Sequence, residues 1–206
     1  IREGLAFVRG QRILYPLFSC IVAAAFANAG IRVLLPLLVL RTLSMSATQL
    51  GLLLSAGAIG GFLGALTRPV WIAHLGIGRT LVITNIIGVL VIVAQPASIH
   101  APGMAAWIIA VSGVASSYFL TVYNVTQMSL RQEICPPDML GRMNAIFRFA
   151  VWGVMPLGSL ASGVVASWAG VEATMYIFTA TSIAAGIAMG FTPAARIRGA
   201  SAADVS

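Results

Sequence analysis

The chain has 206 residues, of which 59% are hydrophobic and 8% are charged. Soluble domains average about 45–50% apolar and about 25% charged residues, because their surfaces must be covered with polar groups. The composition therefore excludes a soluble globular domain and predicts an integral membrane protein.

The net charge of +7 comes from arginine alone, since the chain holds twelve Arg and no Lys. The arginines are spaced between apolar runs instead of forming one patch with interleaved aromatic residues, which argues against nucleic acid as a partner. The two cysteines, Cys20 and Cys135, are far apart and form neither a disulfide framework nor a metal-ligand cluster. We therefore predict no metal site and no cofactor.

The first twelve residues precede the long apolar runs. Ile1, Leu5 and Val8 share one helical face, which predicts a short amphipathic helix on the membrane surface, and a frayed tail fits the same residues. We predict three parts of the chain: this segment at 1–12, an all-α transmembrane bundle at 13–192, and a disordered tail at 193–206.

Six apolar stretches follow, each close to the ~20 residues that a helix needs to cross about 30 Å of hydrocarbon. The six predicted helices run from Leu14 to Leu40, Leu50 to Ala73, Thr80 to Ile99, Gly103 to Met128, Ala145 to Trp168 and Ala173 to Phe191. Pro96 interrupts the third stretch near its end. Loops are predicted between them, including His74 to Arg79 and Ala169 to Glu172.

The arginines are distributed unequally between the two sides of the membrane that these six helices define. Ten lie on the side of the two termini, whereas the other side holds only Arg41, and Arg32 falls inside the first helix. Because short arginine-bearing loops resist translocation, the asymmetry places both termini in the cytoplasm of a multi-pass protein of the plasma or inner membrane. The charged stretch from Ser129 to Arg148 is then a cytoplasmic connection, in which Asp138 is predicted to cap the next helix.

Polar residues inside the helices are candidates for a substrate pathway. Asn28 and Arg32 lie four residues apart on one face, where an arginine costs about 2.5–3.5 kcal/mol on insertion scales. Arg32 either faces a cavity or extends to the nearby interface. Tyr123, Asn124 and Gln127 form a patch in the fourth helix that either lines an aqueous cavity or bonds across helices.

Asn144, Arg148 and Trp152 recur every four residues and share a face that enters the fifth helix. We predict gating contacts for Arg148, with Glu133, Asp138 or a second helical bundle as partners. The alternative is a solvated arginine at a helix end.

Small residues occur where helices are predicted to approach one another. They are Gly57, Gly60, Gly61 and Gly64 in the second helix and Gly186 and Gly190 in the sixth, whereas Gly153, Pro156, Gly158 and Gly163 in the fifth are similar to the Gly/Pro helix motif of antiporters. Pairs spaced by four residues are typical of close backbone packing. Pro156 also permits a bend that would make the fifth helix a hinge.

Three stretches carry a resemblance to a known family. They are Arg2-Glu-Gly-Leu-Ala-Phe-Val-Arg9, Gly64-Ala-Leu-Thr-Arg68-Pro with Gly76-Ile-Gly-Arg79, and Asn124-Val-Thr-Gln127 through Leu140-Gly-Arg142-Met-Asn144-Ala to Arg148 and Pro156-Leu-Gly158. Through them the chain resembles the C-terminal six-helix half of a major facilitator superfamily transporter, in the branch that includes macrolide-efflux and enterobactin exporters.

The resemblance implies secondary active transport by alternating access, in which a separate N-terminal half rocks against this one. It implies export or antiport of amphipathic small molecules such as drugs or siderophores, and a 3+3 inverted repeat within the six helices. The residues that it places at a gate between the halves are Arg68, Arg79, Arg142, Asn144, Arg148 and Trp152. The Gly64–Arg79 region lacks the acidic residue of the family's signature loop, so that loop's charge relay is not expected here.

An intramembrane protease is disfavoured, because His74 and His100 fall on opposite sides of the membrane and no predicted helix contains an aspartate. No carboxylate lies in any predicted helix, so proton coupling would need an acid outside this bundle or Glu172 at its edge. The alternative to a half-transporter is a stand-alone six-helix module that works as a homodimeric carrier or channel. In both cases the lipid bilayer and a small-molecule substrate are the expected partners.

Overall fold

A computed structural model describes residues 14–134 and 139–192, and for a few of these it describes the backbone alone. Within these ranges the chain is almost entirely helical and contains no strand, in agreement with the predicted all-α class. The predicted amphipathic helix at 1–12, the tail at 193–206, Cys135 and the cap at Asp138 lie outside the described residues.

Four long helices dominate the described chain. The elements are α1 (Leu14–Leu37) with a π-helical turn at Leu38–Thr42, α2 (Ala47–Ile92), the short α3 (Ala94–Ala97), 3-10 turns at Ser98–His100 and Pro102–Met104, α4 (Ala105–Ile134) and α5 (Leu140–Gly190). The stretches long and apolar enough to cross a membrane are Phe18–Thr42, Ala47–His100, Pro102–Leu130 and Leu140–Gly190. The chain therefore has the helices of a multi-pass membrane protein.

A capping box begins α2. The Oγ of Ser46 accepts a hydrogen bond from the backbone N–H of Gln49 at 3.2 Å, and the Oε1 of Gln49 accepts one from the backbone N–H of Ser46 at 2.8 Å. These bonds satisfy backbone donors that the first turn of a helix leaves unpaired.

The second helix folds back on itself at Gly76, whose φ of 75° and ψ of 170° form a combination that only glycine adopts readily. Trp71 precedes this residue and Gly88 follows it, yet both lie against Phe119 of α4. A straight helix would separate Trp71 and Gly88 by about 25 Å, at about 1.5 Å per residue. The arms α2a (residues 47–75) and α2b (residues 77–92) therefore lie side by side.

The last helix folds back in the same way at Gly170, where φ is 82° and ψ is 165°. Gly30 of α1 lies against both Ser162 and the ring of Phe178, which flank Gly170 in sequence. A straight helix would hold these two residues about 24 Å apart. The arms α5a (residues 140–169) and α5b (residues 171–190) are thus neighbours as well.

The predicted loops from His74 to Arg79 and from Ala169 to Glu172 are wrong in extent. In each case the glycine is the one residue with non-helical backbone angles, and helix continues directly on both sides. The physical reason is that a glycine in this conformation redirects the chain without unwinding the adjacent turns.

Two fold-backs of the same geometry make a structural repeat, in which the first copy consists of α1 and α2 and the second of α4 and α5. Its members, which lie 94 positions apart in the sequence, are Gly64, Gly76 and Thr80 in the first copy and Gly158, Gly170 and Thr174 in the second. In each copy the threonine Oγ1 donates to the carbonyl of the fold-back glycine, at 2.7 Å and 2.6 Å respectively. The first glycine of each copy packs against a backbone carbonyl of another helix, that of Tyr118 or that of Phe26.

Packing across the repeat joins its two copies. Helix α2 packs mainly against α4, and α1 mainly against α5, with further contacts between α2 and α5. Beside Gly64, Trp71 Nε1 donates a hydrogen bond to the Tyr118 hydroxyl at 2.8 Å, and the hydroxyls of Thr67 and Tyr118 are 2.7 Å apart. Each copy is therefore held by helices of the other, and neither forms a separate domain.

Two apolar clusters mark the two ends of the bundle. The first contains Leu81, Leu130, Met143, Phe147 and Met189, next to the Gly76 fold-back and to the facing ends of α4 and α5. The second contains Leu34, Leu38 and Met175 with Ile99 and Val171 packed against it, next to the Gly170 fold-back. The fold-backs therefore lie at opposite ends.

Charge is divided between these ends. Arg79 lies beside the Gly76 fold-back, and Arg142 and Arg148 lie in the first turns of α5, so we call this the arginine-rich end. At the opposite end, His100 Nε2 and Glu172 Oε1 are 2.9 Å apart, which is within hydrogen-bonding distance.

Candidate functional site

A cavity of about 410 Å³ lies between α1, α2, α4 and α5. Its polar lining consists of Asn28, Arg32, Thr84, Asn85, Gln95, Ser116, Ser117, Tyr123, Asn124 and Gln127. Its apolar lining includes Leu53, Leu54, Leu120, Val151 and Met155. Both copies of the repeat supply lining residues, so the cavity lies between the two copies.

All five residues predicted for a substrate pathway lie in this lining. Asn28 is fixed in place, since its Nδ2 donates to the Ala24 carbonyl at 2.8 Å and lies 3.3 Å from the Ser182 hydroxyl. Arg32, one helical turn further along α1, is exposed and forms no ion pair or hydrogen bond with the described residues.

The three predicted residues of α4 differ in burial. Tyr123 is only 5% exposed, and its hydroxyl lies 3.9 Å from the Met189 sulfur. The Nε2 of Gln127 donates to the Oδ1 of Asn124 at a long 3.4 Å. This part of the lining therefore combines a buried aromatic ring with two amides that bond each other along the helix.

Five further polar residues of α2b, α3 and α4 line the cavity and are absent from the predicted set: Thr84, Asn85, Gln95, Ser116 and Ser117. The Thr84 hydroxyl donates a hydrogen bond to the Thr80 carbonyl at 2.6 Å. Threonine commonly makes this bond in apolar helices, so its presence in the sequence does not by itself indicate a cavity. Asn85 is 7% exposed, and its Oδ1 lies beside Gly186 without a hydrogen-bond partner among the described residues.

The residues predicted for gating lie at or towards the arginine-rich end and outside the cavity lining. Arg148 and Trp152, which are both exposed, interact with each other, since the guanidinium carbon lies 5.7 Å from the centre of the indole ring. Arg68 is half-buried, and its Nε has no hydrogen-bond partner among the described residues. Arg79 and Arg142 are exposed, and Asn144 is half-buried.

The predicted packing glycines fall into two groups. Gly57 and Gly61 lie against the hydroxyls of Ser117 and Thr121, and Gly60 lies against the Val114 carbonyl, as Gly64 and Gly158 do against theirs. By contrast, Gly153 and Gly163 have no neighbour within 4 Å of the position that a Cβ would take. Pro156 stands inside α5a, which continues as helix on both sides of it.

Comparison with protein families matches residues 17–204 to the Major Facilitator Superfamily, whose members are membrane transporters. No curated protein matches the chain. The finer resemblance to macrolide-efflux and enterobactin exporters stays a prediction. Because the match spans most of the sequence, the chain belongs to the Major Facilitator Superfamily and is a membrane transporter of that family.

Proposed function

We propose that this chain is one six-helix half of a secondary active transporter that exports amphipathic small molecules by alternating access. The observation that carries the proposal is the cavity, which joins a leucine and methionine wall to a set of amides, hydroxyls and one arginine. Such a mixture suits a ligand that is apolar over most of its surface and polar at a few points.

The lengths of the folded-back helices support the six membrane crossings of the proposed half-transporter. The stretch Ala47–His100 has 54 residues and would measure about 80 Å as a straight helix, whereas the hydrocarbon layer is about 30 Å thick. Folding back at Gly76 and Gly170 gives each arm the approximate length of one crossing. In this topology the arginine-rich end faces the cytoplasm, because arginines in short loops stay on that side.

A second half-bundle is the partner that we propose for the faces beside the cavity. Leu54 in α2a and Met155 in α5a both line the cavity and are exposed. In the proposed transporter these faces meet the other half, and the faces turned away from it meet lipid.

The proposal is tested by efflux from intact cells that express the protein as its gene encodes it. Cells are loaded with a panel of fluorescent dyes, macrolides and siderophores, and efflux is followed with and without an uncoupler. We expect gradient-dependent efflux of at least one amphipathic compound. Efflux that equals that of cells without the protein, for every compound, would refute the proposal.

The alternative of a homodimeric half-size carrier or channel makes a different prediction in the same cells. Two copies of this chain would then form the transport unit, so cross-linked particles would contain a dimer of one six-helix chain. A monomeric transport unit with two six-helix halves would exclude it.

Arg148 and Trp152 are the residues that we propose for a gate between the halves. Replacing Arg148 with Gln removes the charge that, in the proposed gate, pairs with the other half in one state only. An exposed ion pair is worth about 0.2–1 kcal/mol, which corresponds to about a 1.4- to fivefold change in a conformational equilibrium. We expect the initial rate of efflux to change by about this factor. The matched control is Arg41→Gln, which changes an exposed arginine at the other end of the bundle. An unchanged efflux rate for Arg148→Gln would contradict the proposed gate.

A further inference from the structure

The cavity contains one charged side chain. Among the described residues that line it, Arg32 carries a positive charge and every other polar side chain is neutral. Among the side chains that the structure describes, the one carboxylate is that of Glu172. It lies next to the Gly170 fold-back, 2.9 Å from His100 and outside the cavity lining. The cavity as described is therefore cationic and holds no internal counter-charge.

Arg32 is available to a ligand. Its guanidinium makes no hydrogen bond or ion pair with the described residues and its side chain is exposed on the cavity. Asn28, one turn away on the same face, is already held by the Ala24 carbonyl and the Ser182 hydroxyl, so it does not turn to cover the arginine. The planar, forked guanidinium group matches best a planar anion that accepts two hydrogen bonds from it.

The cavity that contains Arg32 also has an aliphatic lining. Leu35 on the next turn of α1, Leu53 and Leu54 on α2a, and Ile92 on α2b all line the same cavity. A ligand whose anionic group bonds Arg32 would therefore place its remaining surface on aliphatic side chains.

We propose that this cavity binds amphipathic organic anions, with a carboxylate or phosphate of the ligand bound by Arg32. This proposal rests on the proposed transport function and narrows it from amphipathic molecules in general to those that carry a negative group. Cationic amphipaths are disfavoured, because the arginine repels them and the described lining offers no carboxylate to hold them.

The test measures binding without transport, on the purified protein as its gene encodes it, in nanodiscs of phosphatidylcholine. The probes are dansylglycine, which carries a carboxylate, its neutral amide, and the cationic dansylcadaverine, all read by the rise in dansyl fluorescence. We expect dansylglycine to bind about 10- to 100-fold more tightly than the amide, the factor of a charge-assisted hydrogen bond, and dansylcadaverine to bind more weakly than either.

Variants of Arg32 test whether this residue causes the preference for the anionic probe. Arg32→Gln is expected to reduce the affinity for dansylglycine to that for the amide, while Arg32→Lys keeps a smaller preference for the anion. Arg41→Gln, an exposed arginine outside the cavity, is the matched control and leaves both affinities unchanged.

Three outcomes in phosphatidylcholine nanodiscs would overturn the proposal. They are equal binding of dansylglycine and its amide by the wild-type protein, no binding of any probe, and an equal weakening of both by Arg32→Gln. Displacement of dansylglycine when phosphatidylglycerol replaces part of the phosphatidylcholine would also overturn it, because the site would then belong to a lipid headgroup. Efflux without any preference for anions would contradict this proposal alone, whereas charge-selective binding without gradient-driven efflux would contradict the transport function.

Discussion

Replacing Gly60 and Gly64 together with alanine is expected to separate α2a from α4 and to destabilise the whole bundle. A Cβ at Gly60 would overlap the Val114 carbonyl, and one at Gly64 would overlap the Tyr118 carbonyl. Backbone atoms of a helix cannot rotate away from such an overlap, and overpacking costs about 1–3 kcal/mol per site. The sum is a large fraction of the roughly 5–15 kcal/mol that stabilise a typical folded protein.

The measurement is the midpoint of thermal unfolding in detergent, followed by size-exclusion chromatography after heating. At about 2–4 °C per kcal/mol for a chain of this size, the double variant should unfold about 5–20 °C lower than the wild type. The matched control is the pair Gly51→Ala and Gly113→Ala, on the same two helices, where a Cβ meets nothing within 4 Å. Equal midpoints for the two double variants would contradict the proposed packing.

Replacing Gly170 with alanine is expected to strain the second fold-back without any loss of packing. A Cβ at Gly170 meets no atom within 4 Å, so its effect comes from the φ of 82° alone. Holding a residue other than glycine in this region costs about 1–3 kcal/mol. We therefore expect an unfolding midpoint about 2–12 °C lower, from the same conversion.

Gly163→Ala is the matched control for this change. Gly163 belongs to the same helix, also has open space at its Cβ position, and does not have a positive φ. Because alanine favours helix over glycine by about 1 kcal/mol, the control should be unchanged or slightly more stable. An equal fall of the unfolding midpoint in both variants would show that backbone strain at Gly170 does not cause the destabilisation.

Composition and hydropathy predict the membrane class and the approximate helical stretches, because crossing a bilayer demands long apolar helices. They do not predict that Gly76 and Gly170 each redirect the chain within one residue. A hydropathy window averages over many positions, so the lower hydropathy near a fold-back predicts an ordinary loop. The paired spacing of Gly64, Gly76 and Thr80 with Gly158, Gly170 and Thr174 is the sequence signal that would have revealed both fold-backs.

The five predicted pathway residues all line one cavity. They could be predicted because each is an amide, an arginine or a tyrosine inside an apolar helix, where a polar side chain needs a polar partner or water. Thr84 and Ser117 were harder to predict, since small hydroxyl side chains commonly bond their own helix and occur in both buried and cavity positions. Asn85 is polar and inside a helix, but it carried no partner at helical spacing that would have marked a face. Gln95 lies beyond the end of α2b, where Pro96 made the prediction of helix uncertain.

The most direct test of the account is the side of the membrane on which each fold-back lies. In a background without Cys20 and Cys135, single cysteines replace Ala73, near Gly76, or Ala169, next to Gly170, both exposed positions. The account predicts that a membrane-impermeant maleimide labels position 169 on intact cells and position 73 only after the membrane is permeabilised. Labelling of both positions from the same side would contradict it.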